Sequence, residues 1–283
     1  MRQFNTVFSL QNSNMPYRVH LFKELYTMLT EINRICDKYG IKYFAMGGSA
    51  IGAIYDKGIL PWDDDIDIGM VREDYNKFLE IAPNELNEDY FLSWYDSDEH
   101  TPFFYAKLKK NNTVFIEEQY KNVPMHQGIF IDIFPYDKGP QNKHLQQLQF
   151  KCAEFIKCCL MSKEVWLWEH CGQCQIEKPW KRNWFSCCAT RIVNTILSKK
   201  QLYRLIVFIQ SYYNSGKHNS YKLINTFVDY ISKEQIDSII YHTFGTTQIM
   251  GPADMAEYMK GFRRFTNEEA LSRGGHSPYL IEL

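Results

Sequence analysis

The run Trp62-Asp63-Asp64-Asp65-Ile66-Asp67-Ile68 places four carboxylates within five positions. If residues 66–70 form a strand, their side chains alternate. Asp65 and Asp67 then share one face, while Ile66 and Ile68 turn to the core. Two carboxylates a strand pitch apart repel each other, and a bound cation relieves that repulsion. Mg²⁺ (or Mn²⁺) suits such a pair, because it takes oxygen ligands and keeps positions for water and phosphate. Asp63 and Asp64 read as solvated neighbours. An acidic solvent loop is the alternative for the whole run, but it leaves the interleaved isoleucines unexplained.

Upstream, Gly47-Gly48-Ser49 follows an apolar stretch and opens a helical one. Glycines let backbone amides approach a phosphate, and a helix N-terminus favours negative charge. Ser49 is expected to cap that helix and to donate its hydroxyl. A bare Gly-Gly-Ser is often only a tight turn; sixteen positions before an Asp-x-Asp pair it reads as a phosphate cradle beside a metal site. A third carboxylate, Asp132, stands alone in Gly128-Ile129-Phe130-Ile131-Asp132-Ile133-Phe134. A lone Asp in a buried strand is costly unless it binds a cation or is paired. It could ligate metal or take a proton from an attacking hydroxyl. Otherwise it caps a turn or pairs with a base such as Lys107.

These residues need strands and helices to hold them. Leu21, Leu25, Leu29, Ile32, Cys36 and Tyr39 recur at helical spacing before Gly40, predicting an amphipathic helix. Residues 42–46 and 66–70 read as buried strands, and 72–81 as a helix stopped by Pro83. Further strands are expected at 90–95, 103–109, 113–117 and 128–134. Residues 141–161, 184–212 and 219–242 are mainly helical in pattern. The expected fold is α/β: a catalytic core at 17–139, then a mainly helical region at 140–283 packed on it.

The 283 residues are 45% hydrophobic, enough for a sizeable core. A net charge of −1 offers nothing in favour of a polyanion, and no nucleic-acid partner is expected. Residues 1–18 are polar, without the apolar stretch of a secretory leader. The eight cysteines then read as reduced thiols, and the expected location is cytoplasmic.

With the motifs in order, the chain resembles the LicD family. The carrying segments are MGGSAIGAIYDKGILPWDDDIDIG, FYAKLKKNNTVFIEE and HQGIFIDIFPYD, within residues 20–140. The resemblance implies a nucleotidyltransferase-like mixed sheet flanked by helices. It also implies Mg²⁺ dependence, a CDP-linked donor, and transfer of a phosphorylated alcohol such as phosphocholine to a glycan hydroxyl, releasing CMP. A lipid-linked glycan would serve equally as acceptor. By position, Gly48 and Ser49 match the phosphate-facing turn, Asp65 and Asp67 the metal pair, and Asp132 the third acid. Lys107 matches a basic residue upstream of Thr113–Glu117, or is a surface strand lysine. The same motif serves nucleotidyl transfer from an NTP to a small metabolite. Towards the C-terminus the match weakens: Tyr258-Met259-Lys260-Gly261 stands where the family has Tyr-Gly-Asp, and His276 reads as a loop residue.

Two other features stand apart. Cys171-x-x-Cys174 with Cys187-Cys188 offers four thiolates to Zn²⁺, although an adjacent pair is unusual, and free structural cysteines are the alternative. Residues 178–228 contain no Asp or Glu but nine Lys or Arg. With Trp180, Trp184 and Phe185 nearby, this reads either as a solvated basic face or as peripheral contact with anionic lipid at the inner membrane face. His126 reads as a contact to donor or metal, or as a satisfied loop histidine.

Overall fold

The computed structural model describes residues 16–169, 184–216, 220–222, 230–261 and 278–282. Helix α1 (Pro16–Tyr39) buries Leu21, Leu25, Leu29, Ile32 and Cys36 completely, as their spacing requires. Gly40, at φ +62°, ends it in the left-handed conformation that glycine adopts freely. Then come β1 (Phe44–Ala45), α2 (Gly47–Tyr55), β2 (Asp67–Val71) and α3 (Arg72–Glu85). Strands β3 (Tyr90–Ser93), β4 (Ala106–Lys110), β5 (Val114–Glu117) and β6 (Phe130–Lys138) follow.

The main sheet runs β1-β2-β6-β4-β3. Its centre pairs β2 with β6 in parallel, and the other neighbours on this path are antiparallel. Strands β2 and β6 are near-continuous apolar runs, as expected where both sheet faces are covered. The α/β expectation is met: a mixed sheet flanked by helices.

Beyond β6 lie α4 (Lys143–Glu169), α5 (Trp184–Ile196) and α6 (Lys199–Ser211). Residues 219–242, expected to be helical, hold β7 (Ser220–Lys222), β8 (Tyr230–Ser232), the five-residue α7 (Lys233–Asp237) and the start of β9 (Ile239–Phe244). The pattern misled because Tyr221 and Ile231 are strand partners, and apolar spacing in such short pieces does not separate the two periods. Strand β7 extends the main sheet through Asp137 and Lys138 of β6. Strand β9 forms a hairpin with β10 (Thr247–Pro252), followed by α8 (Met255–Tyr258) and β11 (Pro278–Glu282), which pairs with β5.

Pro83 does not stop α3, which runs on to Glu85. Its ring removes one bond, from position 83 to the Leu79 carbonyl, and the turn beyond it still closes, with the Leu86 N–H donating to the Ala82 carbonyl at 2.9 Å. Arg72, the first residue of α3, forms a buried ion pair with Asp137 of β6; its Nε donates at 2.9 Å. Its guanidinium also donates to Gln210 Oε1 of α6 at 3.1 Å, and Asn214 donates to Asp137 at 2.6 Å. This network fastens the helical region to the strand that carries Asp132.

Candidate metal and phosphate site

Strand register sets the site. Asp67 of β2 lies opposite Asp132 of β6, Asp132 opposite Lys107 of β4, and Lys107 opposite Ser93 of β3. Residues paired in register point to one sheet face, so this row crosses four strands as a single line. Strand β2 begins at Asp67, one residue later than expected, yet the Asp132 N–H donates to the Ile66 carbonyl at 2.9 Å. That bond holds the approach to β2 against β6 and brings Asp65 into line. Asp65, Asp67 and Asp132 each offer an oxygen within 4.8 Å of the others. The three expected acids therefore converge.

The glycine turn supports Asp67 from behind. Its N–H donates to Ser49 Oγ at 2.9 Å, and its carbonyl accepts from the Met46 N–H at 3.1 Å. Ser49 is thus not the helix cap. Helix α2 starts at Gly47, its cap position is Met46, and no side chain caps it. The hydroxyl bonds strand backbone instead. Gly47, at φ +53°, takes the left-handed conformation that the turn requires. A Cβ at Gly48 would stand 2.2 Å from Asp63 Oδ2, and one at Gly47 would stand 3.4 Å from Asp67 Oδ2. The turn and the acidic run are in direct contact.

Asp63 and Asp64 are not the solvated neighbours the sequence suggested. Asp64 is buried, Asp63 lies against Gly48, and with Asp65 they form a second group with oxygens within 4.8 Å of one another. The loop is held by a residue that sequence reasoning passed over. Arg18 of α1 donates to the carbonyls of Pro61 at 2.5 Å and Asp63 at 3.3 Å. No sequence pattern links position 18 to position 63; only the fold does.

Lys107 is not a surface lysine. It is 2% exposed, and its Nζ lies 2.8 Å and 3.2 Å from the two Asp132 oxygens. The ammonium also sits 3.4 Å from the Phe130 ring centroid and 4.5 Å from that of Phe103. The alternative reading of Asp132, pairing with Lys107, therefore holds together with its place among the acids. Two residues on, Lys109 is also buried, and its amine donates to the His126 carbonyl. Burial first, and the Lys107 charge second, pull its pKa down to about 7. Lysines alternating with apolar residues along Ala106–Lys110 were a legible sign that both amines share one strand face.

His126 is a satisfied loop histidine. Its Nδ1 accepts from the Gly128 N–H at 3.1 Å, which leaves Nε2–H to meet Asn111 Oδ1 at 2.8 Å. The ring stacks on Phe91 at 5.2 Å, and burial lowers its pKa. Among the described residues, Cys36, Cys152, Cys158, Cys159 and Cys188 are free thiols. Cys171, Cys174 and the Cys187 side chain lie outside the described residues, as does His276.

Chemically, three carboxylates converge in a largely buried place, one of them paired with the Lys107 ammonium. This oxygen-only donor set fits a hard divalent cation.

Residues 40–159 match the family model described as LicD/FKTN/FKRP, nucleotidyltransferase domain. Over 148 residues the chain is 32% identical to the lipopolysaccharide cholinephosphotransferase LicD of Haemophilus influenzae, which covers 50% of this chain and 52% of that protein. Uncharacterised proteins of Rickettsia typhi and Rickettsia prowazekii are 29% and 30% identical over 119 residues. These matches cover 42% of this chain, and 36% and 41% of theirs. The chain thus spans about half the length of the first relative and less of the other two.

Proposed function

We propose, for a chain that belongs to the LicD family through residues 40–159, a metal-dependent transferase acting on a CDP-linked alcohol. It would move phosphocholine or a similar phosphorylated alcohol to a hydroxyl of a cell-surface glycan and release CMP. The carrying observation is the convergence of Asp65, Asp67 and Asp132 beside the glycine turn.

In this reading Asp65, Asp67 and Asp132 hold Mg²⁺ or Mn²⁺. Bound there, the ion would supply charge neutralisation on the phosphate oxygens. The amides of Gly47, Gly48 and Ser49 face the donor phosphates. Ser49 Oγ fixes the Asp67 backbone, and Lys107 fixes the Asp132 carboxylate. The acceptor oxygen bonds to the β-phosphorus of the donor, the bond from that phosphorus to the CMP oxygen breaks, and the hydroxyl proton passes to a site carboxylate. The lipopolysaccharide named for the Haemophilus protein motivates a glycan acceptor here.

The family description itself names a nucleotidyltransferase domain, and this favours a second reading: attack at the α-phosphorus of an NTP by a small metabolite. A screen of CDP-alcohols with Mg²⁺ separates the two. CMP release supports the first reading, and pyrophosphate release from an NTP supports the second. Asp65→Ala and Asp67→Ala are each expected to lower turnover at least about a hundredfold with the fold intact. Near-normal turnover by either variant rejects the metal assignment.

A further inference from the structure

The outward faces of α4 and α6 carry large apolar side chains in water. Leu148 of α4 is 58% exposed, Phe208 of α6 is 60% exposed, and Tyr212, the residue that caps the end of α6, is 61% exposed. On α6, Lys200, Arg204, Phe208 and Tyr212 recur every four residues, so they form one stripe. Its opposite stripe, Leu202, Tyr203, Ile206 and Gln210, is buried. On α4, Leu148 and Lys151 are exposed while Gln149 and Ala153 are buried. The Gln149 amide donates to the Ile209 and Gln210 carbonyls at 2.8 and 3.2 Å. Leu148 and Phe208 therefore flank the same helix–helix contact, and the two faces adjoin.

The charge on this face is mainly basic; Glu154 of α4, three positions past Lys151, is taken up by an ion pair with Lys157 at 2.7 Å. No Asp or Glu occurs at 138–153 or anywhere on α6. A solvated helix face normally mixes signs and keeps large apolar residues few. A second copy of the chain fits poorly, since a two-fold contact would set this cationic face against itself. Basic side chains around exposed aromatic and aliphatic ones match an anionic bilayer surface, where apolar groups enter the headgroup zone and cations meet lipid phosphate. Among the described residues no helix is long and apolar enough to cross a membrane, so such contact would be peripheral.

We propose that the α4–α6 face docks on anionic lipid, with Leu148, Phe208 and Tyr212 entering the interface and Lys151, Lys200 and Arg204 over lipid phosphates. The acid-free segment of the sequence pointed to 178–228. The described part of that segment contributes α6, and α4, outside it, completes the face. Trp180 and the side chains of Trp184 and Phe185 lie outside the described residues.

The test is co-sedimentation of the full chain with vesicles of phosphatidylcholine alone or mixed with phosphatidylglycerol. Binding is expected only to the mixed vesicles and is lost at high salt. Lys200→Gln with Arg204→Gln should weaken it about fivefold for each charge removed. Leu148→Ser with Phe208→Ser should weaken it further while leaving the melting temperature unchanged, since both side chains are exposed. No binding at low salt overturns the proposal. So does binding indifferent to both pairs of substitutions, because the contact then lies elsewhere. Self-association abolished by the Leu148 and Phe208 changes, without vesicle binding, reassigns the face to a second copy and also overturns it. If the serine pair fails to fold, the glutamine pair carries the decision alone.

Discussion

Replacing Lys107 by Met is the sharpest test of the charge balance in the site. Lys107 and Asp132 are 2% and 3% exposed, and their closest atoms lie 2.8 Å apart. At an effective dielectric of about 20 that separation corresponds to roughly 6 kcal/mol of attraction, offset by the desolvation of both groups. Deleting the ammonium leaves a buried carboxylate beside Asp65 and Asp67. Breaking a buried pair in this way costs about 3–5 kcal/mol, or roughly 5–8 °C of melting temperature for a chain of this size. If Asp132 is what suffers, two compensations follow. Adding Asp132→Asn to Lys107→Met should recover most of the loss, because a pair removed whole is often nearly neutral. A divalent cation should rescue the single variant more than the wild type; at about a hundred times its Kd it contributes about 2.7 kcal/mol. The assay is urea unfolding of wild type, both single variants and the double variant, in EDTA and in excess MgCl₂. A Lys107→Met cost below about 1 kcal/mol refutes the reasoning. A double variant as unstable as the single one does so too, since the loss then comes from packing on Phe130 and not from charge.

Two further outcomes follow from close contacts and from burial. Gly48→Ala puts a Cβ 2.2 Å from Asp63 Oδ2, so the Asp63 carboxylate must move; turnover should fall while the melting temperature holds. Gly52→Ala meets the Gly58 backbone carbonyl at the same 2.2 Å and should instead lose about 1–3 kcal/mol of stability, both read by melting and CMP release. Lys109 has a folded pKa of about 7 against 10.5 when unfolded. Between those values the unfolded chain holds a proton that the folded one lacks, so stability rises with pH across that window. Below it, the burial penalty of the charged amine is fully present. Lys109→Met removes the term, so its stability relative to wild type should be greatest near pH 7 and should fall towards pH 10, by on the order of a few kcal/mol. A flat or opposite trend in urea unfolding shows that Lys109 titrates as an exposed amine.

What could be read from the residues depended on how local the cause was. The α1 helix was legible because Leu21 to Cys36 repeat along one continuous segment, all on the buried face. The strands at 66–70 and 128–134 were legible because apolar residues surround single acids. Residues 219–242 were not, because β7 and β8 take their identity from partners in β6 and in each other, at a distance in sequence. Pro83 misled for the opposite reason: a strong local rule was applied where only one backbone bond is lost and the next turn still closes.

The site divides along the same line. Asp65, Asp67 and Asp132 could be named because each is a polar residue placed against an apolar pattern, and such conflict needs a ligand or a partner. The sequence offered both solutions for Asp132 and no means of choosing. The register Asp67–Asp132–Lys107 shows why both apply at once. One lysine can answer one carboxylate across the strands, and β4 supplies it. The next strand outward on the other side, β1, ends at Ala45 and passes into the glycine turn with no base to offer. Asp67 therefore meets the turn itself, its N–H on Ser49 Oγ and its carbonyl on the Met46 N–H, which sets the acidic run against the start of α2.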